Sequence, residues 1–146
     1  MKPIPLGASF QGQVTSGPGD LASALGNAGV DVVSSPAIIG HLEMACHHVI
    51  DPYFDDGEAS VGVGFSLRHV AAAFPDRPMD VSAELIAQDG KRFTFRVEAQ
   101  QGGRTVMTGE HERALVQLDR FLKALRSSQS QAPIQGSDGD TVNHSD

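Results

Sequence analysis

"VSSPAIIGHLEMACHHVI", residues 33 to 50, decides how the rest of the chain must be arranged. Ile38, Ile39, Leu42, Ala45, Cys46, Val49 and Ile50 recur at helical spacing and cover more than one narrow stripe, so the segment reads as a mostly buried helix. Ser34 or Ser35 supplies the N-cap, Pro36 begins the helix where its missing N–H costs little, and Asp51-Pro52 ends it. The same segment carries Glu43, His41, His47 and His48, which a buried helix would normally exclude. An unpaired buried carboxylate is expensive, so Glu43 is the hardest of these to dismiss as filler.

The sequence after the helix has a period of two. In "ASVGVGFSLRHV" (59–70) Val61, Val63, Phe65 and Leu67 alternate with Ser60, Gly62, Gly64, Ser66 and Arg68, which predicts a half-buried strand. Met79, Val81, Ala83 and Leu85 repeat the pattern, as do Phe93, Phe95, Val97 and Ala99. Asp89-Gly90 and Gly102-Gly103 sit between strands as hairpin turns. The next strand, "RTVMTGEHERALVQL" (104–118), changes parity from Val106 to Met107 and then Ala114 and Val116, which predicts a bulge near Gly109. "ASFQGQVT" (8–15) adds a strand before the helix, and "DRFLKALRSS" (119–128) a short helix at the end. "TSGPGD" (15–20) reads as a loop, with a short helical turn after it. The sum is an α+β arrangement: one buried helix across the concave face of a sheet, followed by a meander of four antiparallel strands.

Length and composition restrict what such a domain does. At 146 residues the chain supports one proper core, expected over residues 1 to 126, with a polar disordered tail at 127 to 146. Net charge is -7, and no Lys or Arg stands between Lys2 and Arg68, against seven acids. Phosphate backbones demand a basic face, so nucleic acid is not an expected partner. Without a long apolar run or the h-region of a secretory leader, no membrane partner is expected and the chain reads as cytoplasmic. A single cysteine, Cys46, forms no internal disulfide or cysteine metal cluster.

The candidate site comes from the polar residues that break the apolar pattern. Glu43 lies a little over two turns beyond Ser35, so both project to one side of the helix. His69 has the parity of Phe65 and Leu67 and so faces the helix, where it can pair with Glu43 as an acid/base couple. Each residue also has a plain structural reading: Ser35 as N-cap, His69 as a hydrogen-bonded strand end, Gly62 and Gly64 as tight packing or as room beside a ligand. His47 and His48 suit the negative end of the helix dipole. Glu43 and His47 alone, with no third ligand, do not make a metal site, and no metal or cofactor is expected. His111 and Arg113 read either as a solvated face or as ligand contacts.

The stretches "SSPAIIGHLEMAC", "GEASVGVGFSLRHVAA", "VSAELIAQDGKRFTFRVEAQ" and "GEHERALVQLDRF" resemble the fluoroacetyl-CoA thioesterase group of the hotdog-fold superfamily over about residues 30 to 121. The resemblance implies a hotdog fold, a five-stranded antiparallel sheet wrapped around one long helix, in a homodimer with its sites at the subunit interface. It implies Ser35, Glu43 and His69 as catalytic residues, where the group has a hydroxyl residue at the helix start, a Glu eight positions on, and a His at the next strand's end. Glu43 is then the nucleophile or the base for water. Gly62, Gly64, Arg92, Arg104 and Arg113 are the candidate substrate contacts, the arginines meeting the CoA phosphates. The group's fluorine-selective lid is rich in phenylalanine, whereas residues 16 to 34 contain none. The implied activity is therefore hydrolysis of a small or medium acyl-CoA. The alternatives are a protein that binds acyl-CoA without turnover, and a hotdog hydratase, whose Asp-x-Asn-x-x-His order "GHLEMACHH" lacks.

Overall fold

Seven elements follow one another in the order β1 (Ser9–Thr15), α1 (Ser35–Ile50), β2 (Glu58–His69), β3 (Pro78–Asp89), β4 (Arg92–Gln101), β5 (Arg104–Gln117) and α2 (Leu118–Gln131), in a computed structural model that describes residues 1–131. The five strands form one antiparallel sheet in the order β1-β3-β4-β5-β2. This is the expected hotdog arrangement, with one correction. Only β3, β4 and β5 form a meander; β2 crosses to the far edge and pairs with β5, leaving the near edge of β3 to β1.

α1 crosses the sheet over β1, β3 and β4. Its buried side chains, Ile38, Leu42, Cys46 and Ile50 among them, form one core with Met79, Val81 and Leu85 of β3 and Phe93 and Phe95 of β4. Each large apolar side chain buried this fully stabilises the fold by roughly 1.5–3 kcal/mol. Burial also pushes the Cys46 thiol up to about 12, so it packs as a small hydrophobe and not as a nucleophile. No helix among the described residues is long and apolar enough to cross a membrane.

Two local geometries depart from the sequence pattern. The expected bulge near Gly109 lies three residues earlier: Gln100 pairs with Thr105 and Ala99 with Met107, which leaves Val106 as the extra residue. A second bulge stands in β2, where Gly62 pairs with Arg113 and Gly64 with Glu112, so Val63 is the extra residue. The bulge breaks the alternation assumed for β2. Val63 is 42% exposed and Phe65 50%, so they are not the half-buried pair that parity implied. α2 is longer than expected and carries helix to Gln131, into the segment read as tail. The expected disorder of residues 132–146 lies outside the described residues.

Candidate active site

The start of α1 separates the two serines into two tasks. Ser34 is the N-cap, its Oγ accepting from the Ala37 N–H at 3.2 Å, and is buried. Ser35 is thereby released from capping and lies exposed in the first turn, with its Oγ 2.7 Å from His69 Nδ1. His69 reaches this position because the inner face of β2 beyond its bulge carries Phe65, Leu67 and His69, paired with His111, Gly109 and Met107 of β5. A hydroxyl at hydrogen-bond distance from an imidazole, at the positive end of a helix dipole, can surrender its proton to the ring.

Glu43 sits elsewhere. Eight residues at a rise of 1.5 Å place it about 12 Å along α1 from Ser35. There its Oε2 accepts from Arg113 Nη1 at 3.3 Å and lies 4.0 Å from His111 Nε2. Among the described residues of this chain, Glu43 and His69 share no hydrogen bond or ion pair, so the expected helix-acid and strand-histidine couple is not formed within one chain. His69 pairs with Ser35, and Glu43 with Arg113.

The Glu43 cluster fills positions that the sequence pattern had assigned to apolar residues. Inner-facing Phe93 and Phe95 of β4 pair with Arg113 and His111 of β5. Arg113 is only 7% exposed and His111 1%. The Arg113 Nε donates to Ser60 Oγ at 2.8 Å and its Nη2 to Ser60 O at 2.9 Å, so the guanidinium is anchored to β2 before it meets Glu43. Arg113 therefore turns inward, and its donors serve Ser60, Glu43 and His111 rather than an exposed phosphate.

Hydrogen bonding fixes the His111 tautomer. Its Nδ1 lies 2.9 Å from Gly64 O, which only accepts, and its Nε2 lies 3.2 Å from Arg113 Nη1, which only donates. The ring is thus neutral with its proton on Nδ1. Its pKa is held below the usual histidine value, first by burial and then by the Arg113 charge, which together outweigh the Gly64 carbonyl and Glu43. Phe65 stacks on the same ring at 4.3 Å between centroids.

Gly62 closes the cluster. A Cβ there would come within 3.1 Å of Glu43 Oε2 and 3.2 Å of His111 Cε1, so the absent side chain is what admits the carboxylate. Gly64, on the other side of the bulge, points to the opposite face, toward Glu112. The two glycines therefore do not line one ligand face together, as parity had suggested. Arg92, beside the β3–β4 turn, is exposed and stands away from both groups; Arg104 is exposed at the other end of the sheet, at the start of β5.

The helix histidines each have a local partner. His41 Nε2 lies 3.0 Å from the Oγ of buried Ser16, His47 lies 3.7 Å from Asp51, and His48 stacks on Phe10 at 4.6 Å. No group of three His, Cys, Asp or Glu among the described residues is placed to hold a metal ion. Sequence reasoning missed Ser60 altogether. It did not choose a side for His111 and Arg113, although unbroken odd parity from Met107 to Leu115 puts both inward.

Comparison with known proteins agrees with this frame. The family described as "Fluoroacetyl-CoA-specific thioesterase" matches residues 17–119. The fluoroacetyl-CoA thioesterase of Streptantibioticus cattleyicolor is 34% identical over 96 residues, 66% of this chain and 69% of that protein. Among solved structures, a Thr-to-Ser variant of a fluoroacetyl-CoA thioesterase in complex with acetyl-CoA is 29% identical, with a TM-score of 0.81 over 86% of this chain and 98% of that one. A Thermus thermophilus thioesterase superfamily member is 25% identical, with a TM-score of 0.83 over 90% of this chain and 97% of that one. The chain belongs to the fluoroacetyl-CoA-specific thioesterase family.

Proposed function

We propose that this protein hydrolyses small or medium acyl-CoA thioesters to the free acid and CoA, in the cytoplasm and as a homodimer. The observation that carries the reading is the 2.7 Å contact between Ser35 Oγ and His69 Nδ1 at the N-terminus of α1. His69 takes a proton from a water positioned beside the Ser35 hydroxyl as that water attacks the thioester carbonyl, so that the acyl group leaves as the free acid. The oxyanion forms at the positive end of the helix. Pro36 has no N–H and that of Ala37 is taken by Ser34, so the Ser35 N–H is the first-turn donor left to meet it. As the carbon–sulfur bond breaks, protonated His69 returns its proton to the CoA sulfur.

Glu43 enters from a second copy. Ser35 and His69 are exposed at the end of β2, and Glu43 faces the same strand at Gly62. An antiparallel two-fold at Phe65 sets that residue against its own copy and brings the Gly62 end of one β2 toward the His69 end of the other. Each Glu43, oriented by the Arg113 guanidinium, then lies beside the other copy's Ser35–His69 pair, where a carboxylate positions the attacking water. Because residues 16 to 34 lack phenylalanine, acetyl-CoA and other plain acyl thioesters are expected as substrates alongside fluoroacetyl-CoA.

Thiol release from acetyl-, fluoroacetyl-, butyryl- and phenylacetyl-CoA tests the proposal. His69→Ala and Glu43→Ala are each expected to lower kcat/KM about 10²–10⁴-fold, the usual worth of a positioned acid or base, and Ser35→Ala to lower it as well. Wild type that binds CoA but releases no thiol from any of the four would make this a binding protein and sink the hydrolase reading.

A further inference from the structure

The loop that leaves β2 after His69 builds a second, basic site. The Val70 and Ala71 N–H groups both reach Val106 O, at 2.8 and 3.3 Å. Ala73 O accepts from the Val33 N–H at 2.9 Å, one residue ahead of the Ser34 cap, so this loop is stitched to the start of α1. Gln101, at the end of β4, fixes its far side. The Phe74 N–H donates to Gln101 Oε1 at 2.7 Å, while Gln101 Nε2 donates to Phe74 O at 3.0 Å and to Arg77 O at 3.3 Å. Between loop and sheet lies an open cavity of about 390 Å³, lined by Ala72, Phe74, Arg77, Gln101 and Arg104 among others.

Its chemistry runs against the charge of the chain. In a chain of net charge -7, the cavity holds two arginines and no carboxylate lines it. Phe74 is half exposed, and the Arg77 guanidinium lies over its ring, 4.6 Å from the centroid. A planar aromatic–guanidinium platform stacks a nucleobase, and arginine forks suit phosphate oxygens.

We propose that this cavity takes the nucleotide end of CoA, the adenine stacking on Phe74 and Arg77 and the phosphates accepting from Arg77 and Arg104. The proposal rests on the acyl-CoA reading above and extends it to residues outside the reacting centre. Ala72 is three residues on from His69, at most about 11 Å of extended chain, so the loop offers a path from the thioester to the nucleotide. Because Gln101 holds the platform through three hydrogen bonds, the site is formed before substrate arrives.

The test compares acetyl-CoA with S-acetyl-pantetheine, which carries the same thioester without the nucleotide, and reads KM apart from kcat. Calorimetric titration with free CoA is a second readout. The double variant Arg77→Ala/Arg104→Ala is expected to raise KM for acetyl-CoA on the order of a hundredfold with kcat retained, and to weaken CoA binding in proportion. It should also lose the wild-type preference for acetyl-CoA over acetyl-pantetheine, because removing the arginines and removing the nucleotide delete the same interaction. Phe74→Ala is expected to raise KM about tenfold. Unchanged KM and an intact preference would overturn the assignment and leave the hydrolase reading standing. If wild type hydrolyses nothing, calorimetry still decides: CoA affinity that depends on Arg77 and Arg104 supports the site, and affinity indifferent to them refutes it.

Discussion

At the scale of single residues, the informative position is His111. A histidine only 1% exposed and stacked on Phe65 is stable there because both ring nitrogens are satisfied in one tautomer only. A second proton on Nε2 would point an N–H at the Arg113 guanidinium and strand a charge in the core. The folded pKa is therefore depressed while the unfolded one stays near 6.5. Between those two values the unfolded chain binds more protons, so stability rises with pH. The contribution is fully present above about 6.5 and is lost as the pH falls below that value toward the folded pKa. Urea unfolding midpoints are expected to drop as pH is lowered below about 6.5, and His111→Gln to flatten that slope while lowering stability at neutral pH. Equal slopes for the two proteins across this window would remove His111 from the argument. Arg113 has a second role: by donating to Glu43 Oε2 it fixes the direction of that carboxylate beside β2.

At the scale of elements, most of the fold was legible and the errors share one cause. α1, β3 and β4 follow their periodicities because every apolar position on their inner faces is filled by an apolar residue. β2 and β5 do not, since their bulges fall within the stretches read as alternating, whereas that of β3 lies after Leu85, and β5 spends two inner positions on His111 and Arg113. Reading the apolar Ala114 and Val116 as core hid the polar pair beside them. The catalytic candidates were legible for the same reason in reverse, as polar residues interrupting an otherwise apolar pattern. What periodicity could not give was the partner of each, because Ser35–His69 and Glu43–Arg113 join residues 34 and 70 positions apart. Gly109 illustrates how strongly the β2–β5 pairing constrains sequence. It pairs regularly with Leu67, yet a Cβ there would stand 2.0 Å from Ser66 O, at a φ of +152° that side chains rarely adopt. Gly109→Ala must therefore push β2 away from β5. It is expected to cost about 3 kcal/mol in urea unfolding and to lower hydrogen-exchange protection in β2 before the rest of the sheet. Uniform protection loss, or a cost within about 0.5 kcal/mol, would mean the strand shifts freely and the close approach is not a constraint.

At the scale of the whole molecule, β2 is a twelve-residue strand paired on one side only, at the edge of the sheet. Such an edge presents unpaired N–H and C=O groups and is normally short, charged or covered. Here it is long, and its middle carries Val63 and Phe65, both large, apolar and exposed. β1, the opposite edge, alternates with the polar Ser9, Gln11, Gln13 and Thr15 and has no comparable apolar stretch. The two edges therefore differ in the way expected if one of them meets a second copy. Pairing of β2 with itself would extend the sheet, cover both side chains, and bring Glu43 of each copy to the exposed Ser35–His69 pair of the other. In the proposed dimer association and activity are one property, and the link can be broken at a residue outside the Ser35, Glu43 and His69 set. Phe65→Asp places a charge at the centre of the two-fold, where it meets its own copy. Analytical ultracentrifugation is expected to find the wild type dimeric and this variant monomeric. Thiol release per chain should then fall about as far as in Glu43→Ala, with α+β circular dichroism retained. A folded monomeric variant that hydrolyses acetyl-CoA at the wild-type rate would place the whole site in one chain, and Glu43 would then act only in holding Arg113.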